Sequence, residues 1–156
     1  MTETTIFDRA AATSVLRKIA DAAPREGTYW HGAWLRDLLL MSWVLYHPQR
    51  IAQLFRMTYQ ADNSGHLFKN DLQGWSYRTP TSGHVTRVDE YALAEPVACL
   101  IEPYLELARP RLLRKANDSL FNMPSNHMHR RIGTLLKDHS GRAVSFGELR
   151  ELKLGT

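Results

Sequence analysis

Tyr46-His47-Pro48-Gln49-Arg50-Ile51-Ala52-Gln53-Leu54 ends one helix and opens another. Upstream, Trp34, Leu38, Met41 and Leu45 recur on one face, which predicts a helix over 31–46. Its second half is apolar nearly all round, the pattern of a central core helix. His47-Pro48 breaks the run, because the residue before a proline disfavours helical backbone. A third helix is predicted from near Gln49 to near Tyr59, using Ile51, Leu54, Phe55 and Thr58. Arg50 therefore stands where a helix starts, just after a turn.

Outward from this junction, Phe7, Ala11, Val15 and Ile19 predict an amphipathic helix over 6–22, and the break at 24–27 carries Pro24 and Gly27. Downstream the character changes. Turn residues at 62–65 lead into three short strands over 66–69, 75–79 and 84–93, joined by turns at 70–74 and 80–83. Loops this short imply a small antiparallel sheet. Helix returns over 96–109 with Val97, Leu100, Ile101, Tyr104, Leu105 and Ala108 as the apolar stripe. Pro96 suits the first turn, Pro103 is expected to kink the helix or delay its start, and Pro110 to close it. Ser125 is a candidate N-cap for a helix through Lys137 with Met128, Ile132, Leu135 and Leu136 inward, stopping near Gly141. Ser145 and Glu148 have capping-box spacing for a last short helix. The fold class is α+β, mainly helical, with a three-stranded antiparallel sheet, in one domain over 1–156.

The 156 residues are 44% hydrophobic and 23% charged, which excludes a disordered chain and gives enough length for a core. One cysteine, Cys99, excludes an internal disulfide, and a reducing, cytoplasmic location is the default. The first eight residues have no signal-peptide pattern, and the apolar run over 38–46 is too short to span a bilayer. A net charge of +4 permits phosphate contacts without requiring them. Arg109, Arg111, Arg114 and Lys115 cluster, as do Arg130, Arg131 and Lys137. Each cluster reads equally as a solvated helix surface or as a DNA-contacting one. The four tryptophans, Trp30, Trp34, Trp43 and Trp75, read as core or half-buried packing. His127 and His129 have no cysteine or carboxylate at ligand spacing, so no metal is expected.

Several phrases, in order, resemble the catalytic domain of the tyrosine recombinases, the phage-integrase family. Residues 34–40 leading into 46–54 are similar to that family's first arginine box. Tyr104-Leu105-Glu106-Leu107-Ala108-Arg109-Pro110 is similar to the helix boundary after its sheet. Val144-Ser145-Phe146-Gly147-Glu148-Leu149-Arg150 is similar to its second arginine box. The likeness covers about 31–152. It implies cleavage and rejoining of DNA strands, without a cofactor, through a phosphotyrosyl intermediate. It implies that Arg50 and Arg150 hold the phosphate. Guanidinium suits that task because it is permanently charged and donates two parallel hydrogen bonds to phosphate oxygens.

The chain departs from the family pattern at definite positions. The second box is His-x-x-Arg, and here Gly147 replaces the histidine. Glu151 follows the arginine, where a carboxylate repels phosphate. The hairpin lysine of the family has Arg78 nearest its place, with Lys69 a strand earlier and His84 later. A literal His-x-x-Arg at His139–Arg142 aligns instead with the turn before the second box. Tyr91 and Tyr104 precede that box, in strand and helix patterns, and neither is the nucleophile. The family's tyrosine follows the second box, and the sequence ends six residues after Arg150. The expectation is a recombinase fragment, truncated before the tyrosine and inactive alone. Its implied partner is double-stranded DNA, with an intact recombinase or further copies of itself alongside; no membrane partner is implied. Two other readings stay open: a non-enzymatic DNA-binding regulator on the same fold, contacting DNA through Arg114, Lys115, Arg130 and Arg131, and a small helical protein-interaction domain.

Overall fold

The computed structural model describes residues 7–47, 49–72, 74–80, 89–113, 117–152 and 154. Helix α1 (Arg9–Asp21) starts where the Asp8 carboxylate accepts the Ala11 N–H at 2.9 Å. Helix α2 (Tyr29–Tyr46) starts at Thr28, whose hydroxyl accepts the His31 N–H at 3.2 Å. Both caps satisfy a backbone donor that the helix leaves unpaired. Helix α3 (Ile51–Arg56) is shorter than the sequence predicts, ending three residues before Tyr59. Thr58 and Tyr59 instead form isolated bridges with Ser119 and Leu67, so backbone pairing outcompetes the last helical turn. Phe55, expected inward, is exposed.

Strands β1 (Leu67–Lys69), β2 (Trp75–Arg78) and β3 (Glu90–Ala92) form the antiparallel sheet in the order β1-β2-β3. Leu67 pairs with Tyr77, and Tyr77 with Tyr91. Leu67 and Tyr77 are buried beneath the sheet. Gly65, just before β1, has no room for a side chain. A Cβ there would lie 2.9 Å from the Thr58 carbonyl oxygen.

Helix α4 (Glu95–Pro103) runs without a break into a π-helical turn (Tyr104–Ala108) and a short helix α5 (Arg109–Leu112). Pro110 was expected to close the helix, yet it sits in the first turn of α5. A regular α-helix would bring the Pro110 ring against the Glu106 carbonyl. The wider π turn, closed by Arg109 N–H to the Tyr104 carbonyl, admits it. Helix α6 (Ser125–Ser140) takes Pro124 rather than Ser125 as its N-cap residue and runs three residues past Lys137. Gly141 ends it at φ 78°, donating to the Lys137 carbonyl at 2.9 Å. Only glycine adopts that left-handed conformation without strain. Helix α7 (Phe146–Leu152) follows.

Helix α2 is the hub, as its apolar run implies: every residue from Asp37 to Leu45 is buried, and α1, α4, α6 and α7 all pack against it. Tryptophan burial divides. Trp43 is fully enclosed and Trp34 is half-buried, donating to the Ile19 carbonyl. Trp30 is 70% exposed, contrary to expectation. It sits in the first turn of α2 at the rim of a cleft between α1 and α6, edge-on to Tyr29. Of the residues singled out from sequence, Pro48, Thr81, Ser82, Gly83, His84, Arg114 and Lys115 lie outside the described residues. No described helix is long and apolar enough to cross a membrane.

Candidate phosphate pocket between the two arginine segments

The junction that carries Arg50 is anchored from both sides. His47 ends α2, and its Nε2 accepts the Ala94 N–H at 3.1 Å, tying the junction to the segment between β3 and α4. Accepting at Nε2 places the neutral ring's proton on Nδ1. Burial pushes the His47 pKa down to about 4, which keeps the ring neutral and the acceptor available. The ring packs edge-on to Trp43 and Tyr77. Gln49 is also buried; its Oε1 accepts the Trp43 indole N–H, and its Nε2 faces the Met57 sulfur at 3.8 Å. Arg50 is then the N-cap residue of α3, with extended backbone, and its N–H donates to Gln53 Oε1 at 3.3 Å. The residues at 47 and 49 are fixed indoors, so the exposed residue at 50 is presented outward at a set place.

The second segment is placed from α6. After Gly141 reverses the chain, Arg142 donates to Glu148 at 2.9 Å, and the Ser145 hydroxyl accepts the Glu148 N–H at 3.2 Å. This is half of the expected capping box, because the Glu148 carboxylate turns to Arg142. Leu149 is buried under α7, and Arg150 follows it in the same helix.

A pocket of about 430 Å³ lies where these segments meet. Its walls are Val44, Gln49, Arg50, Ile51 and Ala52 on one side and His129, Phe146 and Leu149 on the other. The start of α3 and helix α7 thus share one concavity. Among the described residues the lining holds a guanidinium and an imidazole and no carboxylate, a composition that favours an anion. No tyrosine among the described residues lines it. Tyr104 is buried at the core, its hydroxyl donating to the Leu120 carbonyl at 2.6 Å, and burial raises its pKa. Tyr91 is half exposed on β3, stacked on Tyr77.

The other singled-out residues stand apart from this pocket. Arg78 is on β2. Its Nε donates to Glu90 at 3.1 Å, its Nη1 to the Gly65 and Asn63 carbonyls, and its plane lies 3.8 Å over the Phe68 ring. Lys69, on β1, is bound to Glu102 at 3.0 Å. Arg130 is exposed on α6. Arg131 reaches back to α2, with Nε and Nη2 donating to Asp37 Oδ2 at 3.0 and 2.6 Å, and this bond raises its pKa. Asp37 is 4% exposed. Sequence reasoning missed it, because position 37 and position 131 share no local pattern. It also missed His47 and Gln49 as anchors, although their place either side of Pro48 was the signal available. Among the described residues no group of three or more His, Cys, Asp or Glu stands together as a metal site.

Helices around a small three-stranded antiparallel sheet, in this order, define a recombinase-like fold. The crystal structure of XerA recombinase is similar to this chain at a TM-score of 0.68 and 18% sequence identity, covering 98% of this chain and 49% of that one. The chain therefore spans about half the length of that recombinase. No protein-family model and no curated protein matches the chain.

Proposed function

We propose that this chain is the arginine-bearing part of a site-specific tyrosine recombinase catalytic domain, a partial domain over 1–156, and that its partner is duplex DNA. In this reading Arg50 and Arg150 grip one phosphodiester from two sides. Loss of such a clamp lowers a reaction rate by roughly 10²–10³. The observation that carries the reading is the shared pocket: two segments remote in sequence, each resembling an arginine box, line one concavity that holds no carboxylate among the described residues. The likeness to XerA recombinase supports the fold on which this depends. Arg78, with its donors on carbonyls and Glu90, is the weakest member of the proposed set. Arg130 and Arg131, on α6, are further proposed DNA contacts, and Arg114 and Lys115 stay candidates from the sequence.

With no tyrosine among the described residues that line the pocket, the chain by itself binds DNA without cutting it in this reading, and acts beside an intact recombinase or another copy of itself. Two measurements test this. Fluorescence anisotropy with labelled duplex is expected to show binding that weakens with salt and with Arg50→Ala or Arg150→Ala. A nicked suicide substrate is expected to give no covalent protein–DNA band. Absence of binding at low salt defeats the proposal, and a covalent band defeats the claim of inactivity. The regulator reading draws on the same lack of a lining tyrosine. It differs in predicting that the chain lowers, rather than supports, recombination by an intact enzyme.

A further inference from the structure

Position 147, where the resemblance expects an imidazole, is glycine, yet the pocket is not without one. We propose that His129, on α6, supplies the phosphate-contacting imidazole of this pocket, donating a ring N–H to a non-bridging oxygen of the phosphodiester beside Arg50. The inference rests on the phosphodiester reading of the pocket and adds a residue that no box motif contains.

Three observations carry it. His129 lines the same concavity as Arg50, although it comes from a different helix than either arginine segment. Its ring stands edge-on to Phe146, with centroids 4.7 Å apart and planes at 79°, next to Gly147. That contact fixes the ring's plane while leaving the nitrogens available: the side chain is exposed, and among the described residues its nitrogens make no hydrogen bond. Gly147, the next residue after Phe146, has room for a side chain, since a Cβ built there meets only the Ser145 hydroxyl, at 3.8 Å. A packing role alone is a poor account of an exposed histidine whose single ring contact is its edge on one phenylalanine. His127, two positions earlier on the same helix, lines the separate cleft between α1 and α6 and is the internal control.

The experiment is anisotropy with one fluorescein-labelled DNA duplex at low salt, read against urea unfolding of each variant. His129→Ala is expected to weaken binding by roughly 10- to 100-fold, the range of one hydrogen bond to a charged group. His127→Ala is expected to bind as the parent does. Gly147→His in the His129→Ala background is expected to restore binding, because it puts an imidazole at the position where the resemblance expects one, on the helix that carries Phe146 and Leu149. If Arg50→Ala weakens binding and His129→Ala does not, the inference is overturned and the site reading stands. If neither weakens it, both fall. A loss in His129→Ala that Gly147→His leaves unrepaired, accompanied by a lower unfolding midpoint, makes His129 a packing partner of Phe146 and also overturns the inference.

Discussion

Replacing Asp37 with alanine tests the main polar tie inside this fold. The carboxylate is 4% exposed and accepts two hydrogen bonds from Arg131 and one, at 3.3 Å, from Arg36. Removing it strands two guanidinium groups unequally. Arg131 is 37% exposed and can turn to water, whereas the Arg36 side chain is 16% exposed and its Nε already has no partner among the described residues. Breaking a buried pair by deleting one member costs about 3–5 kcal/mol. Hydration of Arg131 places this case at the lower end, near 3 kcal/mol, a factor of roughly 10² in the folding equilibrium. With a urea m-value of about 2 kcal/mol/M, the midpoint drops by about 1.5 M. Arg131→Met alone should also destabilise, since it leaves the carboxylate with Arg36 only. The double variant Asp37→Leu/Arg131→Met should recover only part of the loss, because an apolar pair of similar volume removes the desolvation penalties of Asp37 and Arg131 but leaves Arg36 without its acceptor. Equilibrium urea unfolding by far-UV circular dichroism reads all three. A loss below about 1 kcal/mol in Asp37→Ala, or strict additivity in the double variant, refutes the reasoning.

Three further outcomes are expected. The His47 ring stays neutral in the fold down to about pH 4 but takes up a proton near 6.5 when unfolded, so the stability it contributes is complete above pH 6.5 and is lost as pH falls from there toward 4. The full shift sets a ceiling of roughly 3 kcal/mol, and partial solvent access lowers that to about 2, measurable as urea midpoints across this pH range that flatten in His47→Gln. Gly133→Ala, in the interior of α6 with nothing within 4 Å of a new Cβ, should stabilise by about 1 kcal/mol, whereas Gly141→Ala, at φ 78°, should destabilise by about as much; thermal melts of opposite sign check the pair. Gln49→Leu leaves the enclosed Trp43 indole N–H without its acceptor and should cost about 2 kcal/mol in urea unfolding.

The helices were legible where burial follows a simple period. The stripe Met128, Ile132, Leu135, Leu136 is buried in α6 as its spacing requires, and the apolar run of α2 is the core. The sheet was legible from its turns. Helix ends were less so, because local competitors decide them: the Thr58 and Tyr59 bridges shorten α3, and the π turn carries the chain past Pro110. Trp30 was misplaced because composition ranks a tryptophan as buried, while its position in the first turn of α2 sets it on a rim. Arg50 was legible as a helix start, but its rigidity was not. That depends on His47 meeting Ala94 and Gln49 meeting Trp43, the first a contact with a segment 47 residues away in sequence. His129 was weighed as a metal ligand, since nothing local links position 129 to position 50.

The surplus residue in the π turn at Tyr104–Ala108 has a consequence for how this domain tolerates change. One residue more than an α turn rotates everything after it by about 100°. That rotation aims Arg109 at the Ser119, Asn117 and Tyr59 carbonyls, which it gathers into one clasp. Shortening this stretch by one residue would give a more regular helix and a looser protein, because the clasp would swing off its three oxygens. The irregular turn thus sets the angle at which the second half of the chain departs from the first.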